Sequence, residues 1–74
     1  MNKKERLNAA LAYLLAHGVV KTKKEFAARL GMAVGTVSRA LHGNEASLTD
    51  NLMLNVYRVF RPLFNYDWIM SGDG

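Results

Sequence analysis

Few side chains in this sequence can do covalent chemistry. Cysteine is absent, which removes thiol nucleophiles, thiolate metal ligands and disulfides together. The two histidines, His17 and His42, stand far apart, no carboxylate pair sits at metal-binding spacing, and no glycine-rich phosphate loop is present. The inventory therefore leads us to expect a protein that is not an enzyme and takes no cofactor or metal. Cationic groups are abundant instead: ten Lys and Arg against six Asp and Glu give a net charge of +4 and a pI near 9.8. Residues 1–43 hold eight basic side chains (Lys3, Lys4, Arg6, Lys21, Lys23, Lys24, Arg29, Arg39) against Glu5 and Glu25, a balance of +6. Residues 44–74 carry Arg58 and Arg61 against Glu45, Asp50, Asp67 and Asp73, a balance of −2. Such lopsidedness suits a polyanion-binding face with a solvated back, although Lys and Arg also decorate ordinary exposed helix faces.

These charges must be positioned by a very small core. With 74 residues and no internal linker, the chain is expected to form one domain, residues 1–74, with Ser71-Gly72-Asp73-Gly74 as a polar tail or the start of a linker. A core of this size contributes only about 3–5 kcal/mol of net stability, so apolar residues at helical spacing belong to packing first.

Asn2 and Glu5 are spaced as a capping box that opens a first helix, with Leu7, Ala10, Leu11, Leu14 and Leu15 on its inward stripe and Gly18 as its stop. His17, in the last turn, is expected to serve in capping the helix end. Thr22 and Glu25 suggest a second capping box, followed by Phe26, Ala27 and Leu30 inward and Gly31 as a stop. A third helix runs from Val34 to His42 with Val37, Ala40 and Leu41 inward, ending at Gly43. The fourth is capped by either Ser47 or Thr49, carries Leu48, Leu52, Val56, Val59 and Phe60 inward, and is broken by Pro62. Asn65 caps a fifth, where Phe64 and Ile69 are spaced for a hydrophobic staple and Trp68 is expected in the core. The class is all-α with five helices, the short ones too brief to persist unpacked.

Between Lys23 and His42 the pattern gives two short helices and a tight turn. Ala27 is small where the helices cross closely, and Gly31 supplies the positive φ that the turn requires. The outer face of the second helix of such a pair projects from the body, and an α-helix fits the major groove of DNA.

The run Leu30-Gly31-Met32-Ala33-Val34-Gly35-Thr36-Val37-Ser38-Arg39-Ala40-Leu41-His42-Gly43 resembles the helix-turn-helix of the phage repressor and Cro (XRE) family. The segment from Ser47-Leu48 to Phe60, and the closing Asp67-Trp68-Ile69-Met70-Ser71-Gly72-Asp73-Gly74, are similar to the remainder of that family's five-helix, lambda-repressor-like domain. The resemblance implies a cytoplasmic transcription regulator, a repressor or the DNA-binding part of a longer one, that binds double-stranded DNA as a homodimer on paired half-sites. It implies phosphate contacts from Thr22 and Lys23, reinforced by Lys21 and Lys24, with Thr36 as a further phosphate contact and Asn44 meeting phosphate or base edges. Val34, Gly35, Ser38, Arg39 and His42 would face base edges, and Arg39 is the strongest candidate because its planar fork can donate to O6 and N7 of one guanine. His42 also suits a helix C-terminus. The sequence departs from the family at Val34 and Gly35, where hydrogen-bonding side chains are common, and at Ala33, which lacks the N-cap hydroxyl. Direct readout is accordingly thin, with Val34 suited to a thymine methyl and DNA shape contributing the rest.

The competing reading is a helical protein-interaction domain, for example an antitoxin-like partner binder, with Tyr57, Phe60, Leu63, Phe64 and Trp68 as its docking surface. Core closure by the last two helices is the stronger assignment for those side chains, because so small a fold needs them inside. No signal peptide is read at the N-terminus, and the longest apolar run, Ala9 to Ala16, is far short of the ~20 residues of a membrane span.

Overall fold

A computed structural model describes residues 1–73, so Gly74, the last residue of the anticipated tail, lies outside the described residues. The elements are α1 (Lys3–Ala16), α2 (Lys23–Arg29), α3 (Val34–Leu41), α4 (Asp50–Val59) and α5 (Tyr66–Ser71), an all-α five-helix bundle. No helix among the described residues is long and apolar enough to cross a membrane.

Local sequence sets most of the helix ends. The Asn2 side chain accepts from the Glu5 amide at 2.8 Å and the Glu5 carboxylate accepts from the Asn2 amide at 2.9 Å, a complete capping box. Thr22 caps α2 by accepting from the Glu25 amide at 3.0 Å, but the Glu25 carboxylate accepts from the Lys21 amide at 3.1 Å rather than from Thr22. The Glu25 carboxylate thus reaches one residue past the N-cap, and the second box is not reciprocal. Thr49 caps α4 through the Leu52 amide at 3.1 Å, which settles the choice against Ser47. Ser47 is held instead in a turn closed by Asn44.

The α1, α2 and α3 ends share one arrangement. At the α2 end Gly31 has φ +70°, its amide donates to the Ala28 carbonyl, and the Met32 amide donates to the Ala27 carbonyl. That paired set of bonds satisfies carbonyls a helix end would otherwise leave open, and it reverses the chain within two residues.

The core sits where these ends converge. Phe26 of α2 and Phe60 after α4 stack with ring centroids 5.6 Å apart, in the same buried cluster as Leu7, Leu14, Val37, Val56 and Ile69. Two expectations need correction. Leu15 is 41% exposed; it lies about 80° around the helix from Leu7, past the edge of the stripe that Ala10, Leu11 and Leu14 fill. Trp68 is half-buried and stacks on Phe64, while Ile69 takes the fully buried position of the short α5.

Polar side chains then tie helices together through backbone carbonyls. Asn8 of α1 donates to the Leu41 carbonyl at the end of α3 (2.9 Å), and Asn55 of α4 donates to the Leu30 carbonyl at the end of α2 (3.0 Å). Arg6 is buried, and its guanidinium donates to the carbonyls of Met1, Ile69 and Met70 at 2.7, 3.1 and 3.2 Å. No buried side-chain nitrogen or oxygen among the described residues lacks a partner.

Candidate nucleic-acid interface

The α2–turn–α3 pair is fixed from below before its outer face is considered. Phe26, Ala27 and Leu30 of α2 and Val37, Ala40 and Leu41 of α3 are buried. Ala27 is 1% exposed, so any larger side chain there would push neighbouring packing apart. With Asn55 bonded to the Leu30 carbonyl and Asn8 to the Leu41 carbonyl, each helix of the pair has its C-terminal end held by another part of the bundle.

On the outer face the structure brings most of the anticipated site residues together. The Lys23 ammonium, at the first position of α2, lies 3.3 Å from the Ser38 hydroxyl on α3. Lys21, Thr22 and Lys24 are exposed beside it. Arg39 folds back along α3, with Nη2 donating to the Thr36 hydroxyl at 3.2 Å and Nη1 lying 3.6 Å from where a Cβ on Gly35 would stand. Val34, at the leading edge of α3, is 42% exposed, a large apolar side chain left facing water. Ala33 makes no side-chain cap bond to α3.

His42 and Asn44 are not part of that cluster. His42 is the C-cap of α3, about 12 Å along the helix axis from Val34. Asn44 accepts from the Ser47 amide through its side chain, and its carbonyl accepts from Ser47 and Leu48, so it orders the turn into α4. Both remain exposed at the far end of the face.

The charge on this face is free in the sense that matters for an anion. Among the described residues the one ion pair is Lys3 with Asp50, at 2.8 Å. The Lys3 hydrogen bond, and then its charge, hold the Asp50 carboxyl below its ordinary 3.8. The basic half counted from sequence is nevertheless smaller in space than on paper. Arg6 is spent inside the fold, and Arg29 lies over the Phe60 ring at 5.1 Å while reaching the Val19 carbonyl. The exposed cations on or leading into the pair that carry no ion pair are Lys21, Lys23, Lys24, Arg29 and Arg39, with Arg29 drawn over the Phe60 ring.

Spacing along the chain missed Lys4. Its stem crosses Gly43, with Cδ 3.1 Å from a Cβ placed there, so its ammonium flanks the end of α3. Asn2, Lys3, Lys4, Gly43, Glu45 and Leu48 line a groove of about 420 Å³ at that end, with Glu45 tempering its charge. No local signal could have paired Lys4 with Gly43, because α1 reaches the end of α3 only through tertiary packing. No group of three acidic, histidine or cysteine side chains is placed to hold a metal ion among the described residues.

Comparison of the chain with protein-family models, with curated proteins and with solved structures finds no match. The functional reading accordingly rests on the site itself.

Proposed function

We propose that the α2–turn–α3 pair is a helix-turn-helix and that the chain is a lambda-repressor-like domain binding double-stranded DNA in a transcription regulator of the phage repressor and Cro type. The observation that carries this reading is the contact of Lys23 with Ser38, 3.3 Å apart. It brings the cationic start of one helix to a half-buried hydroxyl of the next, which supports reading phosphate and groove contacts on one surface. Lys21, Thr22, Lys23 and Lys24 take the phosphate backbone, α3 enters the major groove, and Ser38 and Arg39 reach base edges. Cytoplasmic residence and a homodimer on paired half-sites follow from that role.

Selection from a pool of random duplexes at two salt concentrations tests it. Affinity falls linearly with log salt if phosphates are neutralised. Lys23→Ala lowers the salt slope by about one and weakens all sequences alike, whereas Arg39→Ala relaxes preference at one base pair, by about 1–3 kcal/mol. Equal behaviour of the two variants removes this division of roles.

One observation favours a second reading, a protein-docking module. Tyr13, Leu63 and Tyr66 are 41%, 41% and 49% exposed, and Tyr13 contacts the rings of His17 at the end of α1 and of Phe64 in the segment before α5. A folded protein with no affinity for DNA at either salt concentration would select it.

A further inference from the structure

Gly35 is the one residue of α3 without a side chain, and it stands on the exposed face of that helix, where a glycine costs about 1 kcal/mol relative to alanine. Its backbone is not in the left-handed region, so conformation does not require glycine there. The space above it is not empty, however. A Cβ there would stand in ordinary van der Waals contact with the Arg39 guanidinium, 3.6 Å from Nη1, so that bulk beyond a methyl would meet it, and Nη2 is hydrogen-bonded to Thr36 Oγ1 at 3.2 Å.

We infer that Gly35 is the seat of Arg39 and that Thr36 is its positioning residue, so that the arginine presents its fork to a guanine at the level of Gly35 instead of at its own. This rests on the DNA-binding reading and specifies which surface of α3 discriminates between bases.

Sequence separation and donor chemistry support the arrangement. Residues 35 and 39 are one helical turn apart on the same face, so an arginine that folds toward the helix start necessarily crosses residue 35. A guanidinium has five N–H donors, and the bond to Thr36 uses one. The second hydrogen of Nη2, both of Nη1 and that of Nε remain, enough for the two parallel bonds that guanine O6 and N7 accept. An anchored fork also loses less freedom on binding than a free side chain, which sharpens preference without any new contact. Val34, exposed immediately beside this seat, leaves the neighbouring base step to apolar contact.

Duplex selection on the full chain tests the inference. Valine at position 35 fills the seat, and its helix propensity is no worse than that of glycine, so Gly35→Val should keep its melting temperature. Thr36→Val keeps shape and removes the acceptor, whereas Thr36→Ser keeps the hydroxyl. We expect Gly35→Val and Thr36→Val each to lose preference at the same base pair as Arg39→Ala, by on the order of tenfold, and Thr36→Ser to retain it. Combining either valine substitution with Arg39→Ala should cost nothing further, because both act through the arginine. The inference is overturned if both folded valine variants select that base pair as strongly as the unaltered protein while Arg39→Ala does not. It is also overturned if the unaltered protein binds duplexes without base preference, an outcome that leaves DNA binding standing. Absence of any salt-dependent binding instead overturns the DNA reading, and this inference with it.

Discussion

Arg6 and Ile69 are joined at 3.1 Å by a hydrogen bond from the guanidinium Nε to the backbone carbonyl, a side chain of the first helix closing the last one. Two further carbonyls, of Met1 and Met70, accept from the same buried guanidinium.

Arg6→Met should therefore leave three carbonyls to find other donors. Bonds from a charged donor contribute about 1.5–3 kcal/mol each, partly offset by the cost of burying the charge. A net loss of about 3 kcal/mol is expected in urea unfolding, large beside the total for so small a domain. Arg6→Lys should recover only part of it, because an ammonium cannot reproduce the planar fork. A loss below about 1 kcal/mol would show that the tie is dispensable.

Asn55→Ala removes the donor that holds the Leu30 carbonyl at the turn between α2 and α3. We expect about 1 kcal/mol of destabilisation, with hydrogen exchange accelerated most at Gly31 and Met32. Uniform acceleration over all five helices would mean that Asn55 supports the fold at large and not the turn.

Ala33 occupies the N-cap of α3 with an extended backbone (φ −66°, ψ 139°) and no capping bond. Ala33→Ser should raise stability by about 1 kcal/mol, read as a higher urea midpoint at unchanged slope. An unchanged or lower midpoint would show that this helix start is already satisfied by other means.

The Lys3–Asp50 pair gives a pH prediction. Because Lys3 lowers the Asp50 carboxyl from 3.8, the pair contributes stability above that value that is lost as pH falls through the lowered one. Asp50 is largely exposed to solvent, so the effect on unfolding at neutral pH should be slight. Lys3→Met should move the Asp50 titration, followed by NMR, up toward 3.8. An unmoved titration would show that the contact does not persist in solution.

The parts of the fold that were legible in the sequence are those decided within one helical turn. Asn2 with Glu5, Asn65 with Trp68 and the glycines after α1, α2 and α3 find their partners three to five residues away. Thr22 with Glu25 was half legible: the hydroxyl bond forms, but the carboxylate chooses Lys21. Arg6, Asn8 and Asn55 were opaque, since each bonds to a backbone carbonyl on another helix, and a carbonyl leaves no mark in residue identity. Charge counting overstated the basic face for the same reason, because Arg6 is buried on backbone carbonyls and Arg29, though exposed, is drawn over the Phe60 ring. At the site, helical spacing placed Ser38 and Arg39 on one face, whereas the meeting of Lys23 with Ser38 and of Lys4 with Gly43 depends on how helices cross.

The Arg6 tie also bears on the order in which the chain acquires its shape. Contacts between α2 and α3 close short loops, whereas Arg6 reaches carbonyls 63 and 64 positions away and must wait for a far longer loop to close. Docking of α5 is then the step that completes the fold, and mutations there should speed unfolding more than they slow folding.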